Sequence, residues 1–181
     1  MVTIIVVVIA AMGIPKLTTM VGNLRTRGDA RDLNGAIVQA KMRAASDFAR
    51  ARVYADLSAN TFRIEVYPSG ATAWTAEGGS QPLSNGVTFS YGSLTSPPGG
   101  TQTTLGQAPL CLQDDLASTT ANTACIMFNS RGIPVDSSWT ATGQDAFYVT
   151  DGNSVTGVTV SVTGSTAVWR SDAATANWNS H

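Results

Sequence analysis

The chain has 181 residues, 43% of them apolar, and a formal charge of −1 from 11 Lys+Arg against 12 Asp+Glu. That length holds one ordinary domain with an appendage, and the near-neutral balance argues against a strongly basic nucleic-acid binder or an acidic disordered tail. The charge is unevenly placed: residues 1 to 55 carry eight cations against three anions, the remainder three cations against nine carboxylates.

The chain opens MVTIIVVVIAAMGIP. As a helix, the stretch from Met1 to Ile14 rises about 21 Å, short of the roughly 30 Å of a bilayer's hydrocarbon core. It lacks the basic n-region of a secretory signal peptide, and its helical pattern continues past the run. Beyond Pro15, Leu17, Val21 and Leu24, then Leu33, Ile37, Ala40, Ala44, Phe48 and Ala51 recur mostly at spacings of three and four, which is one helix face. Lys16, Arg25, Asp32, Lys41, Arg43 and Asp47 fall largely on the other sides, with Gly28 and Asn34-Gly35 as weak points. The spacing predicts one helix from the start to about Arg52, bent at Pro15, which lacks an amide hydrogen and crowds Ala11. Such a helix is nearly 80 Å long, so its front must project and find lipid or other subunits to cover it.

From Thr61 onward short alternating segments replace the helical period, with strands expected at 61–67, 87–91, 125–129, 146–150, 157–162 and 167–170. Turn signals separate them: Pro68-Ser69-Gly70, Asn85-Gly86, Arg131-Gly132, Asp151-Gly152-Asn153 and Thr163-Gly164-Ser165. The expected fold class is α+β: a long N-terminal helix whose C-terminal half packs on an antiparallel sheet through Leu33, Ile37, Ala40, Ala44 and Phe48, a lollipop with a stalk over 1–55 and a β-rich head over 56–181. Ser96 to Gly100 and Gln113 to Thr123 read as loops.

Cys111 and Cys125 have no C-x-x-C spacing and no histidine nearby, so metal binding is poorly supported. In an oxidising compartment a bridge between them would contribute about 3 kcal/mol by the chain-entropy model; two buried free thiols are the alternative. The lone histidine is the terminal His181, a poor foundation for a catalytic triad. Asp114-Asp115 lacks a third carboxylate at calcium-loop spacing, and Gly78-Gly79 and Gly99-Gly100 lack the residues of a phosphate loop. No spacing nominates a hydrolytic carboxylate, Asp145 included, and no cofactor is expected. Trp74, Trp139, Trp169 and Trp178 suit a sugar- or DNA-stacking surface or, more commonly, a core or subunit contact. Arg25, Arg27 and Arg31 suit phosphate backbones, lipid headgroups or acidic neighbours.

Three features together carry a family resemblance: the apolar helix broken at Gly13-Ile14-Pro15, the amphipathic continuation from Asp32-Leu33-Asn34-Gly35-Ala36-Ile37 to Ala45, and the β segment with Phe128-Asn129-Ser130-Arg131-Gly132 and Val158 to Gly164. The chain resembles the type IV pilin and pseudopilin superfamily, most of all FimT-type minor pilins and the H-type pseudopilins of type II secretion. The likeness covers the first 55 residues well and the rest loosely. The family's leader and its Phe-Thr-Leu-x-Glu start are not seen, and position 5 is Ile5; the chain is expected to begin inside the mature helix, the alternative being a subunit that lacks the family's glutamate.

The resemblance implies a structural subunit of a type IV pilus or secretion pseudopilus rather than an enzyme. Its polymerisation helix would use Ile4, Ile5, Val8, Ile9, Met12, Gly13, Pro15, Leu17, Val21 and Leu24. Its partners would be copies of itself or other pilins, the bacterial inner membrane before assembly and the assembly machinery, with no specific nucleic acid, and its destination an extracellular or periplasmic filament. The rival reading is a membrane-tethered binding module whose β part recognises a surface, sugar or DNA.

Overall fold

In a run such as Arg50-Ala51-Arg52-Val53-Tyr54-Ala55-Asp56 small apolar residues alternate with large polar ones, a period of two that suits a strand with one buried face. The computed structural model describes the backbone of residues 2–180 and the side-chain surroundings of residues 20–180. It places this run as β1 (Arg50–Asp56), directly after helix α1 (Val2–Ser46). The helix therefore stops before the expected Arg52. Ala49 N–H donates to the Ala44 carbonyl at 3.2 Å while Phe48 takes the left-handed conformation, φ 48°, which is a Schellman termination.

Eleven further strands follow: β2 (Thr61–Tyr67), β3 (Thr75–Pro82), β4 (Thr88–Phe89), β5 (Cys111–Leu112), β6 (Thr119–Thr120), β7 (Thr123–Phe128), β8 (Pro134–Val135), β9 (Asp145–Thr150), β10 (Ser154–Val160), β11 (Thr166–Asp172) and β12 (Thr175–Ser180). They form two five-stranded antiparallel sheets, ordered β3-β2-β1-β7-β8 and β12-β11-β10-β9-β4, and a two-stranded ribbon, β5-β6. α1 contacts β1, β2 and β7 of the first sheet and β9, β10 and β11 of the second.

This corrects the expected α+β lollipop, in which one sheet was covered by the end of a stalk. The chain is mostly β, and its body is sandwich-like, with one helix serving both sheets. The physical reason lies in strands without an alternating signature. Thr75-Ala-Glu-Gly-Gly-Ser-Gln-Pro82 is nearly all exposed and pairs only through its backbone, while β5, β6 and β8 are two residues each. The bend expected at Pro15 lies outside the residues whose surroundings are described.

One core joins the three layers. Ala30, Leu33, Ala36, Ile37, Ala40 and Ala44 of α1 meet Ala51, Val53 and Ala55 of β1, Phe62, Ile64 and Val66 of β2, Ile126 and Phe128 of β7, Phe147 and Val149 of β9, and Val158 and Val160 of β10. Polar contacts fix the helix lengthwise. The Asp29 carboxylate accepts the Ser84 N–H at 3.0 Å and its hydroxyl at 2.8 Å, and Arg25 donates to the Asn85 carbonyl at 3.0 Å. Nearer the C-terminus of the helix the Lys41 ammonium donates to the Thr163 and Gly164 carbonyls at 3.2 and 3.0 Å. Gly132 and Gly164, both at positive φ, approach Lys41 so closely that a Cβ on either would lie 3.0–3.2 Å from it. The two turn glycines of the resemblance motifs thus share one task, admitting the helix.

The outer face of the first sheet holds a second packed layer of Cys111, Leu112, Cys125, Met127 and Val135, flanked by Tyr54 and Trp139. Cys111 and Cys125 are joined in a disulfide with Cα atoms 4.9 Å apart, which staples the β5–β6 ribbon to β7. Arg52 adds a second tie: its guanidinium meets Glu65 Oε2 at 2.5–2.6 Å and donates to the Leu112 carbonyl. Burial pulls the Arg52 pKa down and Glu65 opposes it.

Both members of that pair are buried, so removing one leaves the other uncompensated. Glu65→Gln is expected to cost about 3–5 kcal/mol, read as a lower urea midpoint at unchanged slope. Arg63 also contacts Glu65, at 2.7 Å, but is 31% exposed, and Arg63→Gln should cost under about 1 kcal/mol. Equal losses would show that burial of the Arg52 pair does not matter.

Candidate functional site

Burial of one face of α1 fixes what the opposite face presents. Met20 and Val38 are 18 residues apart, as are Leu24 and Met42, and at about 3.6 residues per turn that is five whole turns. The four side chains therefore share a face, and they are 64, 38, 63 and 59% exposed. Of the eight large apolar residues exposed among the described residues, six belong to α1 or its cap: Met20, Val21, Leu24, Val38, Met42 and Phe48. Arg27 and Arg31 lie on the same side between the two apolar pairs, both exposed. Gly28 and Gly35 would find open space for a Cβ, so nothing in the described residues requires glycine there, although each costs about 1 kcal/mol relative to alanine in a helix.

The expected helix-packing residues divide. Leu33, Ile37, Ala40 and Ala44 are fully buried against both sheets. Phe48 is corrected: it is 78% exposed, because the Schellman turn ends the helical register before it and swings it off the buried face. Of the expected polymerisation residues, Val21 and Leu24 are exposed. Ile4, Ile5, Val8, Ile9, Met12, Gly13, Pro15 and Leu17 lie within α1, but their side chains fall outside the described residues. Among the described residues no helix is long and apolar enough to cross a membrane.

Sequence reasoning missed a cleft beside the helix cap. Phe48, Arg50, Tyr67, Asn129 and Trp139 are among the residues lining a cavity of about 360 Å³. Arg50 stacks over Trp139 at 4.0 Å and stands 6.0 Å from the Tyr67 ring. Stacked guanidinium keeps its in-plane N–H donors available, and exposed aromatics bring area at low entropic cost. The sequence signal for it is the alternation Arg50-x-Arg52-x-Tyr54, which belongs to strand β1 and not to the expected helix end.

The remaining candidates are structural. Trp74 stacks on Arg52 at 3.9 Å, Trp169 donates to Thr159 at 3.0 Å, and Trp178 packs on Tyr148 and donates to the Ser96 carbonyl. Asp114 accepts the Trp74 backbone N–H, and Asp115 caps its own turn by accepting the Ser118 hydroxyl and then the Ala117 and Ser118 N–H groups, bonds that lower its pKa. Among the described residues no group of three His, Cys, Asp or Glu side chains could hold a metal. Asp145 is buried at the start of β9, and burial, aided by the charge of Asp136, pushes its carboxyl up to about 6.

Two substitutions test this description. Phe48→Gly relieves the left-handed backbone and is expected to stabilise the fold by about 0.5–1 kcal/mol in a denaturant titration; a loss would mean the ring contributes packing. For Asp145 the folded pKa lies above the unfolded value of 3.8. Its charged form therefore costs stability, fully so above pH 6, and the cost is relieved as pH falls from 6 towards 4. Asp145→Asn should raise stability near pH 7.5 by up to about 3 kcal/mol and flatten that part of the pH profile. An unchanged profile would show that the carboxylate is solvated in its charged form.

No family model, no curated protein and no solved structure matches the chain.

Proposed function

We propose that this chain is a non-enzymatic structural subunit of a type IV pilus or type II secretion pseudopilus, assembling through α1 with copies of itself or with other pilins. The observation that carries the proposal is the exposed apolar face of α1, where Met20, Leu24, Val38 and Met42 align over five turns. A face of that kind is costly in water and is covered by a second apolar surface. The open-space glycines 28 and 35 would let a partner helix approach closely. The apolar sequence MVTIIVVVIAAMGIP, in the same helix, extends the surface in need of cover.

Charge supports copies of the chain as the occupant. The helical portion is cationic and the remainder acidic, so staggered copies place opposite signs together, an attraction weakened by salt. In this proposal the apolar run rests in the bacterial inner membrane until assembly moves it into the interior of an extracellular or periplasmic filament. The cleft at Phe48 favours a second reading, a binding module tethered by the same helix: the exposed Phe48 and the half-buried Trp139 both hold left-handed backbone beside Arg50, and such strain gathers at ligand sites.

Leu24→Glu and Met42→Glu are expected to leave the folded body intact, since both side chains are about 60% exposed, and to abolish filaments in electron micrographs of the producing cells. Trp139→Ala should leave filaments in place. Filaments that persist in both glutamate variants would overturn assembly through this face, and loss of surface attachment in Trp139→Ala alone would favour the tethered module.

A further inference from the structure

Between α1 and the second sheet lies a cavity of about 270 Å³ lined by Arg27, Arg31, Thr156, Val168 and Arg170. Its residues are brought together by two regular elements. Arg27 and Arg31 are one helical turn apart, and Thr156 and Arg170 are direct cross-strand partners of β10 and β11. Three guanidinium groups therefore face one space whose lining contains no carboxylate, and none of the three forms an ion pair among the described residues. Like charges so placed repel one another unless an anion lies between them.

A second, independent feature points to the same ligand. Thr156 is 1% exposed, and its hydroxyl has no hydrogen-bond partner among the described residues. Buried hydroxyls are normally bonded, and an unmet one signals a missing partner. Val168, which lines the same space, has no polar side-chain atom to meet that hydroxyl, so apolar packing does not account for it.

We propose that this cavity binds a phosphate group. Guanidinium forks pair with phosphate oxygens two at a time. Three forks and a hydroxyl converging from a helix and a sheet offer more donors than one planar carboxylate accepts, whereas a tetrahedral phosphate presents oxygens to several sides. The source argued here is the headgroup of an anionic phospholipid. Towards the helix N-terminus from Arg27 the same face carries Leu24 and Met20, followed by the apolar run, and cations placed just beyond an apolar segment are those that meet headgroups. The lipid source rests on the proposed membrane-held state; the phosphate site itself does not.

The test uses the full chain and separates the two. Flotation with vesicles of phosphatidylglycerol is compared with phosphatidylcholine, and inorganic phosphate is titrated in parallel by calorimetry on detergent-solubilised protein. Arg170→Gln and Thr156→Val are read against Arg131→Gln, which removes one charge from an exposed turn elsewhere. A preference for phosphatidylglycerol reduced about fivefold by Arg170→Gln, lowered by Thr156→Val and kept by Arg131→Gln supports the site and its lipid source. Titratable inorganic phosphate with the same residue dependence but no headgroup preference supports the site and assigns it a soluble phosphate, whether or not the chain enters membranes. The proposal is overturned if neither arm responds to Arg170→Gln and Thr156→Val, or if Arg131→Gln acts as strongly as they do.

Discussion

One helix has to fill the inner faces of two sheets. The residues α1 buries are mainly alanine, with Leu33 and Ile37 as the two larger side chains, while the larger partners come from the strands: Phe62, Phe128, Phe147 and Ile126. Small residues on the helix let both sheets come close, and the phenylalanines reach inward over them, so the core packs by alternation of size across layers. Replacing an alanine by a larger residue would push both sheets at once, and truncating Leu33 or Ile37 would open a void shared by two layers. The helix therefore cannot be treated as an accessory: it contacts three strands of each sheet, and one core cluster draws on all three layers.

The packed core is joined by polar contacts at two points of the described helix, which fix the helix's position along its axis. Asp29 is held by Ser84 at mid-helix, and Lys41 by the carbonyls of the Thr163–Gly164 turn near the C-terminal end. Gly22 continues the pattern, since a Cβ there would come within 2.3 Å of the Asp151 carboxylate. Loops from both sheets thus grip a single rod, and the glycines at 22, 132 and 164 are where the grip is closest.

Much of this was legible where a strand has one buried face. β2 matches the expected 61–67 throughout, and the strands at 145–150 and 166–172 are displaced by only one or two residues. The pattern failed where its physical basis is absent. β3 pairs along an exposed edge with no face to bury, and β12 is likewise mostly exposed. At 50–56 the alanines at 51 and 55 fit either period, and the αL residue that ends the helix is phenylalanine, where glycine would have announced a stop. The exposed apolar face of α1 was half legible: Val21 and Leu24 continue the period of the N-terminal run, whereas Val38 and Met42 lie opposite the buried stripe that dominates the pattern from Leu33 onward. The arginine cavity could not be seen, since Thr156 and Arg170 become neighbours only through strand pairing.

The departures from local rules gather on the side of α1 that faces away from the core and at its rims. Phe48 occupies a backbone conformation better suited to glycine, Gly28 and Gly35 weaken a helix without relieving any contact, Met20, Leu24, Val38 and Met42 face water, and Arg27 and Arg31 are like charges one turn apart. On the buried face the apolar residues of the same helix keep to the expected period and size. A sequence that keeps local and global preferences consistent along one face and breaks them along the other is shaped by something beyond the folding of the isolated chain. Under the proposed assembly most of these breaches would be relieved by external partners of matching chemistry: apolar surface for the methionines and Leu24, a closely approaching backbone for the glycines, and an anion for the arginines.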